Sequence, residues 1–85
     1  MLDDPHTDAW LRQRRQEIGG RIQDARQGAG LTQDEVVRRT GLARSTVQRI
    51  ERGDDGYSVD PLLRIARAIG VPLADLVREG DRLEE

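Results

Sequence analysis

The sequence contains no cysteine, no phenylalanine and no lysine. Without cysteine there can be no disulfide and no thiolate zinc site, which fits a reducing cytoplasm, the expected location. With one tryptophan, one tyrosine and 35% hydrophobic residues, any core must be aliphatic and modest. Eighty-five residues are expected to form one domain, near the size at which stability becomes marginal. No apolar run approaches the roughly 20 residues of a membrane span, and MLDDPHTDAW lacks a signal peptide's basic and apolar regions. No membrane association is expected.

A net charge of −2 argues at first against a nucleic-acid partner, but the acids are not evenly spread. Residues 1–17 carry three arginines and four acids, and residues 75–85 carry two arginines and five acids. The middle, residues 18–74, holds nine arginines against seven acids, a net of +2. Non-specific attraction to phosphate should therefore be weak, and specificity would need good contacts or a dimer.

Along the chain, Ile18, Ile22 and Ala25 follow the i, i+4, i+7 spacing of an amphipathic helix. Gly19-Gly20 interrupts it at about 1 kcal/mol per glycine, so the first helix is placed from near Ile18. Residues 8–17 are then a helical extension or a separate arm. Gly28 and Gly30 close this helix. Thr32-Gln33-Asp34-Glu35 is a capping box opening a second helix that ends at Thr40, with Gly41 as the turn. A third helix runs from about Ala43 to Arg52, stopped by Gly53, and a polar loop from Asp54 to Tyr57 follows. Ser58 caps a fourth helix, in which Leu62, Ile65, Ala66 and Ile69 mark the core face; Pro61 is tolerable in its first turn. After Gly70, a fifth helix spans Pro72 to about Arg78. The expected fold is all-α, with an arm or extension over 1–17, a domain over 18–79 and a charged tail over 80–85.

The third helix carries the functional signal. Arg44, Ser45, Gln48, Arg49 and Arg52 fall within an arc of about 140°, while Val47 and Ile50 point the other way. That face has three arginines and no acid, whereas a merely solvated face usually mixes both signs. With a capped helix and a glycine turn before it, this is the outline of a helix-turn-helix.

From Ile18 to Val77 the chain resembles the lambda-repressor-like, Cro-type helix-turn-helix domains of bacterial and phage regulators, the xenobiotic-response-element family. The matching pieces are Ile18-Gly19 with Arg21-Ile22, Gly30-Leu31-Thr32-Gln33, Gly41-Leu42, Ser45-Thr46-Val47, Ile50-Glu51-Arg52-Gly53, Leu62-Leu63-Arg64-Ile65-Ala66 and Ile69-Gly70-Val71. Any one is weak; the ordered set is specific. The resemblance implies five helices, with the third entering the major groove of double-stranded DNA. It also implies base contacts from Ala43, Arg44, Ser45 and Arg49. Each of the two arginines can offer two donors to guanine, and the Ala43 methyl suits a thymine methyl. Gln33 matches a phosphate anchor at a helix N-terminus, with Thr32 and Arg52 as further phosphate candidates. For Gln48 a phosphate contact and a solvated rim position both stay open. A structural salt bridge between Arg26 and Glu51 is implied as well. Two positions depart from the family pattern: Val37 stands where a small residue is common, and Ala43 where a serine often caps the helix, a loss of about 1 kcal/mol.

No nucleophile stands beside a base, so no enzyme and no cofactor are expected. His6, alone among acids, is a poor metal ligand, and Asp54-Asp55 and Glu84-Glu85 read as solvated charge. Trp10 should pack on its own domain, against helix five, or on a partner subunit. The leading expectation is a dimeric regulator, with Leu73, Leu76 and Val77 as interface candidates and Leu83 and Trp10 as additions. The alternative is a protein-interaction module, such as an antitoxin or adaptor, whose acidic ends engage a protein partner.

Overall fold

The computed structural model describes residues 5–54 and 58–80. Leu83, Glu84, Glu85, Asp55, Tyr57 and the His6 side chain lie outside the described residues. Five helices follow one another: α1 (Pro5–Gly28), α2 (Gln33–Thr40), α3 (Arg44–Arg52), α4 (Val59–Ile69) and α5 (Leu73–Val77). No strand occurs among the described residues.

Helix α1 corrects the expectation of a start near Ile18. It runs unbroken through Gly19-Gly20 for 24 residues, roughly 36 Å at 1.5 Å per residue. The segment before Ile18 is thus a helical extension continuous with α1. The reason lies across the helix pair. A Cβ at Gly19 would sit 2.5 Å from the carbonyl oxygens of both Ile50 and Glu51, so the missing side chain lets α1 touch the backbone of α3. Gly19 is a contact residue, and the packing it permits outweighs its poor helix propensity.

Helix α2 begins as expected. The Thr32 hydroxyl accepts from the Glu35 N–H at 3.1 Å, and the Glu35 carboxylate accepts from the Thr32 N–H at 2.8 Å. These bonds hold the Glu35 carboxyl below its ordinary range, chiefly through the Thr32 backbone N–H and then its hydroxyl. Helix α3 starts at Arg44, one residue later than expected, and Ala43 precedes it without a side-chain cap bond. Ser58 sits at the cap position of α4, yet its side chain makes no cap bond, against expectation. Helix α5 is the five residues Leu73–Val77, with Pro72 at its cap.

One face of each helix closes on a common aliphatic core. Ile22 of α1, Val36 of α2, Val47 and Ile50 of α3, Ile65 of α4 and Leu76 of α5 are all fully buried. Leu31, Leu62 and Ala66 complete the centre, and Ile18, Ala25, Val37, Leu42 and Ile69 pack around it. Every helix thus contributes to one core, which fixes the position of the short α3.

Candidate nucleic-acid interface

The turn between α2 and α3 is held by two residues. Gly41 adopts φ +75°, a left-handed conformation that costs a side-chain-bearing residue far more than glycine. The buried Thr40 hydroxyl donates to the Val36 carbonyl at 2.7 Å and accepts from the Leu42 N–H at 3.1 Å. This threonine was not singled out in the sequence, although a threonine ending a helix before glycine is a signal for it. Together they set the direction in which α3 leaves α2.

Behind the motif lies a network centred on Glu51. Arg26 donates through Nε to Glu51 Oε2 at 2.7 Å and through Nη2 to Oε1 at 3.2 Å. Its Nη1 donates to the Leu31 carbonyl at 2.9 Å. Gln33 Nε2 donates to the same Glu51 Oε1 at 2.9 Å. Both members of the ion pair are largely buried, with side-chain exposures of 10% and 5%. The network ties α1, the α1–α2 loop, α2 and α3 into one unit. The Arg26–Glu51 bridge implied by the family resemblance is present; the Gln33 bond was not anticipated.

The outer face of α3 is exposed at Arg44, Ser45 and Arg52 and half-buried at Gln48 and Arg49, while Val47 and Ile50 are fully buried. Ala43 is exposed just before the helix, as is Thr32 before α2, and Gln33 is half-buried. These residues therefore stand at or near one surface built around the motif. That surface is not free of acids once neighbouring elements are counted. Arg44 pairs with Asp34 of α2, and Arg52 Nη2 pairs with Asp54 at 2.9 Å. Both pairs are about half-exposed, and exposed ion pairs of this kind contribute about 0.2–1 kcal/mol. A guanidinium can therefore exchange its carboxylate for a base or phosphate at small cost.

The dimer candidates divide. Leu76 is 2% exposed and belongs to the core, so it has no surface to offer a partner. Its place in the core, on the short α5, was not separable from a surface position by spacing alone. Leu73 and Val77 are half-buried and pack against the core. Among the described residues, the large apolar ones that are exposed are Trp10, Leu11, Val59 and Leu63. Trp10 is half-exposed, and its indole N–H points to Glu79 Oε2, just past α5, at 3.5 Å. The end of α5 is fastened to α1, since Arg14 donates to the Val77 carbonyl and Arg21 to the carbonyls of Arg78 and Gly80.

Five helices on one aliphatic core, with a glycine-turned pair presenting an arginine-bearing third helix, define a helix-turn-helix domain. The profile of the helix-turn-helix family matches residues 22–76, and the chain belongs to this family of DNA-binding transcriptional regulators. It is 34% identical over 67 residues to an uncharacterized HTH-type transcriptional regulator of Sinorhizobium fredii, covering 79% of this chain and 87% of that protein. It is 30% identical over 64 residues to the cryptic phage CTXphi transcriptional repressor of Vibrio cholerae, covering 75% of this chain and 58% of the repressor. Among solved structures, the restriction-modification controller protein C.AhdI from Aeromonas hydrophila superposes with a TM-score of 0.69 at 31% identity. That superposition covers 73% of this chain and 94% of the controller protein. Among the described residues, no helix is long and apolar enough to cross a membrane.

Proposed function

We propose that this chain is a transcriptional repressor that docks α3 in the major groove of a palindromic operator and does so as a dimer. The observation that carries the reading is the outer face of α3. Arg44, Ser45 and Arg49 stand on a helix whose inner face is fully buried and whose last turn is clamped through Glu51 to α1 and α2. Such a helix is pre-positioned, so little ordering entropy is lost on binding. In this docking Arg44 and Arg49 read guanine through paired donors, with Ser45 and Ala43 at adjacent base edges. Thr32, Gln33, Gln48 and Arg52 hold phosphates, Gln33 with the help of unpaired backbone N–H groups in the first turn of α2.

Repression, as opposed to activation, is supported by the named role of the Vibrio relative. The dimer rests on a magnitude. One short recognition helix in a chain of net charge −2 has few contacts with which to reach the affinity of a specific regulator. Two-fold symmetry doubles them across half-sites about 34 Å apart. The proposed interface is the flank of α5, with the exposed parts of Leu73 and Val77. Selection of bound sequences from random DNA tests the whole reading; a two-fold symmetric motif is expected, and recovery of no motif would overturn it.

A further inference from the structure

The extension of α1 brings a second set of arginines to the end of α3. Arg12, Arg15, Gln16 and Gly19 occupy one stripe of α1, and Gly19 and Gln16 are where that stripe meets α3. A Cβ at Gly53, which has φ +83°, would lie 2.8 Å from Gln16 Cα, so the two backbones nearly touch. Arg15 Nε reaches the Gly53 carbonyl at 3.4 Å. The result is an open cleft of about 470 Å³ lined by Arg12, Arg15, Arg49, Arg52 and Asp54.

We infer that this cleft is a phosphate-binding edge, through which the α1 extension adds Arg12 and Arg15 to the DNA contact made by α3. The inference deepens the docking proposed above and rests on it. Three observations carry it. First, Arg12 and Arg15 line the cleft with a single described carboxylate, Asp54, which already pairs with Arg52. The C-terminal dipole of α3 supplies only about half a negative charge, too little to balance Arg12 and Arg15. Second, the volume would suit a small molecule, yet no apolar side chain lines the cleft, whereas small-molecule sites are mainly apolar. A polyanionic strand lying across it fits better. Third, Arg49 and Arg52 belong both to this cleft and to the outer face of α3, so one continuous basic surface joins the groove-reading face to the extension. Arg12 is exposed and makes no hydrogen bond or ion pair among the described residues, so it can turn to a phosphate without breaking a contact. Both arginines precede the residues 22–76 matched by the family profile.

The test uses the full chain and two duplexes: one carrying the site recovered by selection, and one of equal length with unrelated sequence. Affinity is measured by fluorescence anisotropy between 50 and 200 mM salt for the parent, Arg12→Gln, and Arg12→Gln with Arg15→Gln. The double variant should weaken both duplexes by the same factor. It should also lower the slope of log affinity against log salt by about 0.9 per lost phosphate contact, and leave base preference unchanged. If loss of the Arg15–Gly53 contact unfolds the double variant, Arg12→Gln alone decides, with an expected slope change of about 0.9. A parent that selects a sequence, paired with a folded variant of unchanged affinity and slope, overturns this inference alone. Altered base preference overturns it as well, by making these arginines base readers. A parent that selects no sequence overturns the docking of α3 instead.

Discussion

Gln33 Nε2 lies 2.9 Å from Glu51 Oε1, so the first residue of α2 is tied to the last turn of α3 through the carboxylate that also holds Arg26. The pair makes the two helices of the motif a single object. It also limits how a Gln33 contact to DNA can form. Its carboxamide has two donors, and one is committed to Glu51 while the other stays available to a phosphate.

Stability should depend on this network more than on any exposed ion pair. Replacing Arg26 or Glu51 by alanine leaves a largely buried charge without its partner, at an expected cost of about 3–5 kcal/mol. Denaturant unfolding of both single variants and the double variant should show strong coupling. Additive losses would mean that the two side chains act independently.

The paired glycines of α1 should respond in opposite directions. Gly19→Ala places a methyl against two carbonyl oxygens of α3 and should destabilise by about 1–3 kcal/mol. At Gly20 a Cβ would meet nothing within 4 Å, so Gly20→Ala should stabilise by about 0.5–1 kcal/mol. Equal effects in thermal unfolding would contradict the continuous α1 and its close crossing with α3.

Acid should weaken the start of α2. The Glu35 carboxyl is held below its ordinary value of 4.5 by the Thr32 N–H and hydroxyl. Its contribution to stability is therefore complete above that value and is lost as pH falls through the lower, folded-state value. Glu35→Gln should lower stability near pH 7 and flatten the profile over this acidic range, so that variant and parent converge at low pH. A profile parallel to the parent's would show that the capping box does not sense protonation.

Asp34 should oppose DNA binding. Its carboxylate pairs with Arg44 and stands at the surface proposed for docking. Asp34→Asn is expected to tighten binding by about 0.2–1 kcal/mol, the scale of an exposed pair. Weaker binding in an anisotropy titration would instead make the pair a device that aims Arg44.

For the dimer, Val77→Glu should lower operator affinity through the α5 flank, and Leu63→Glu, at an exposed site on α4, should not. Sedimentation of the complex should find two chains per high-affinity site. Loss of affinity with Leu63→Glu alone would move the interface to α4.

Much of this was legible in the sequence because it is local. Thr32 and Glu35 announce their cap three residues apart, and Leu62, Ile65, Ala66 and Ile69 announce the buried face of α4 by spacing. The glycine at 41 marks the turn. What the sequence hid depends on two segments meeting. Gly19 looks like a helix breaker until α3 is laid against it, and Leu76 looks like a surface leucine until α1 and α4 close over it. Asp34 and Arg44 are ten residues apart and on different helices, so the acid-free face of α3 could be read while its neighbour's carboxylate could not. Arg12 and Arg15 were hidden for the same reason as Gly19, since only the helical extension, and not a separate arm, carries them to Arg49 and Arg52.

The central claim is that α3 reads bases through Arg44 while Gln33 holds the backbone. The most direct measurement is the affinity of Arg44→Ala and Gln33→Ala for the selected site and for the same site with each base pair changed in turn. Arg44→Ala should cost about 1–3 kcal/mol on the selected site and lose preference at one position per half-site, while Gln33→Ala weakens every duplex alike. An Arg44→Ala protein that binds the selected site as tightly as the parent, with the same base preferences, would contradict the account.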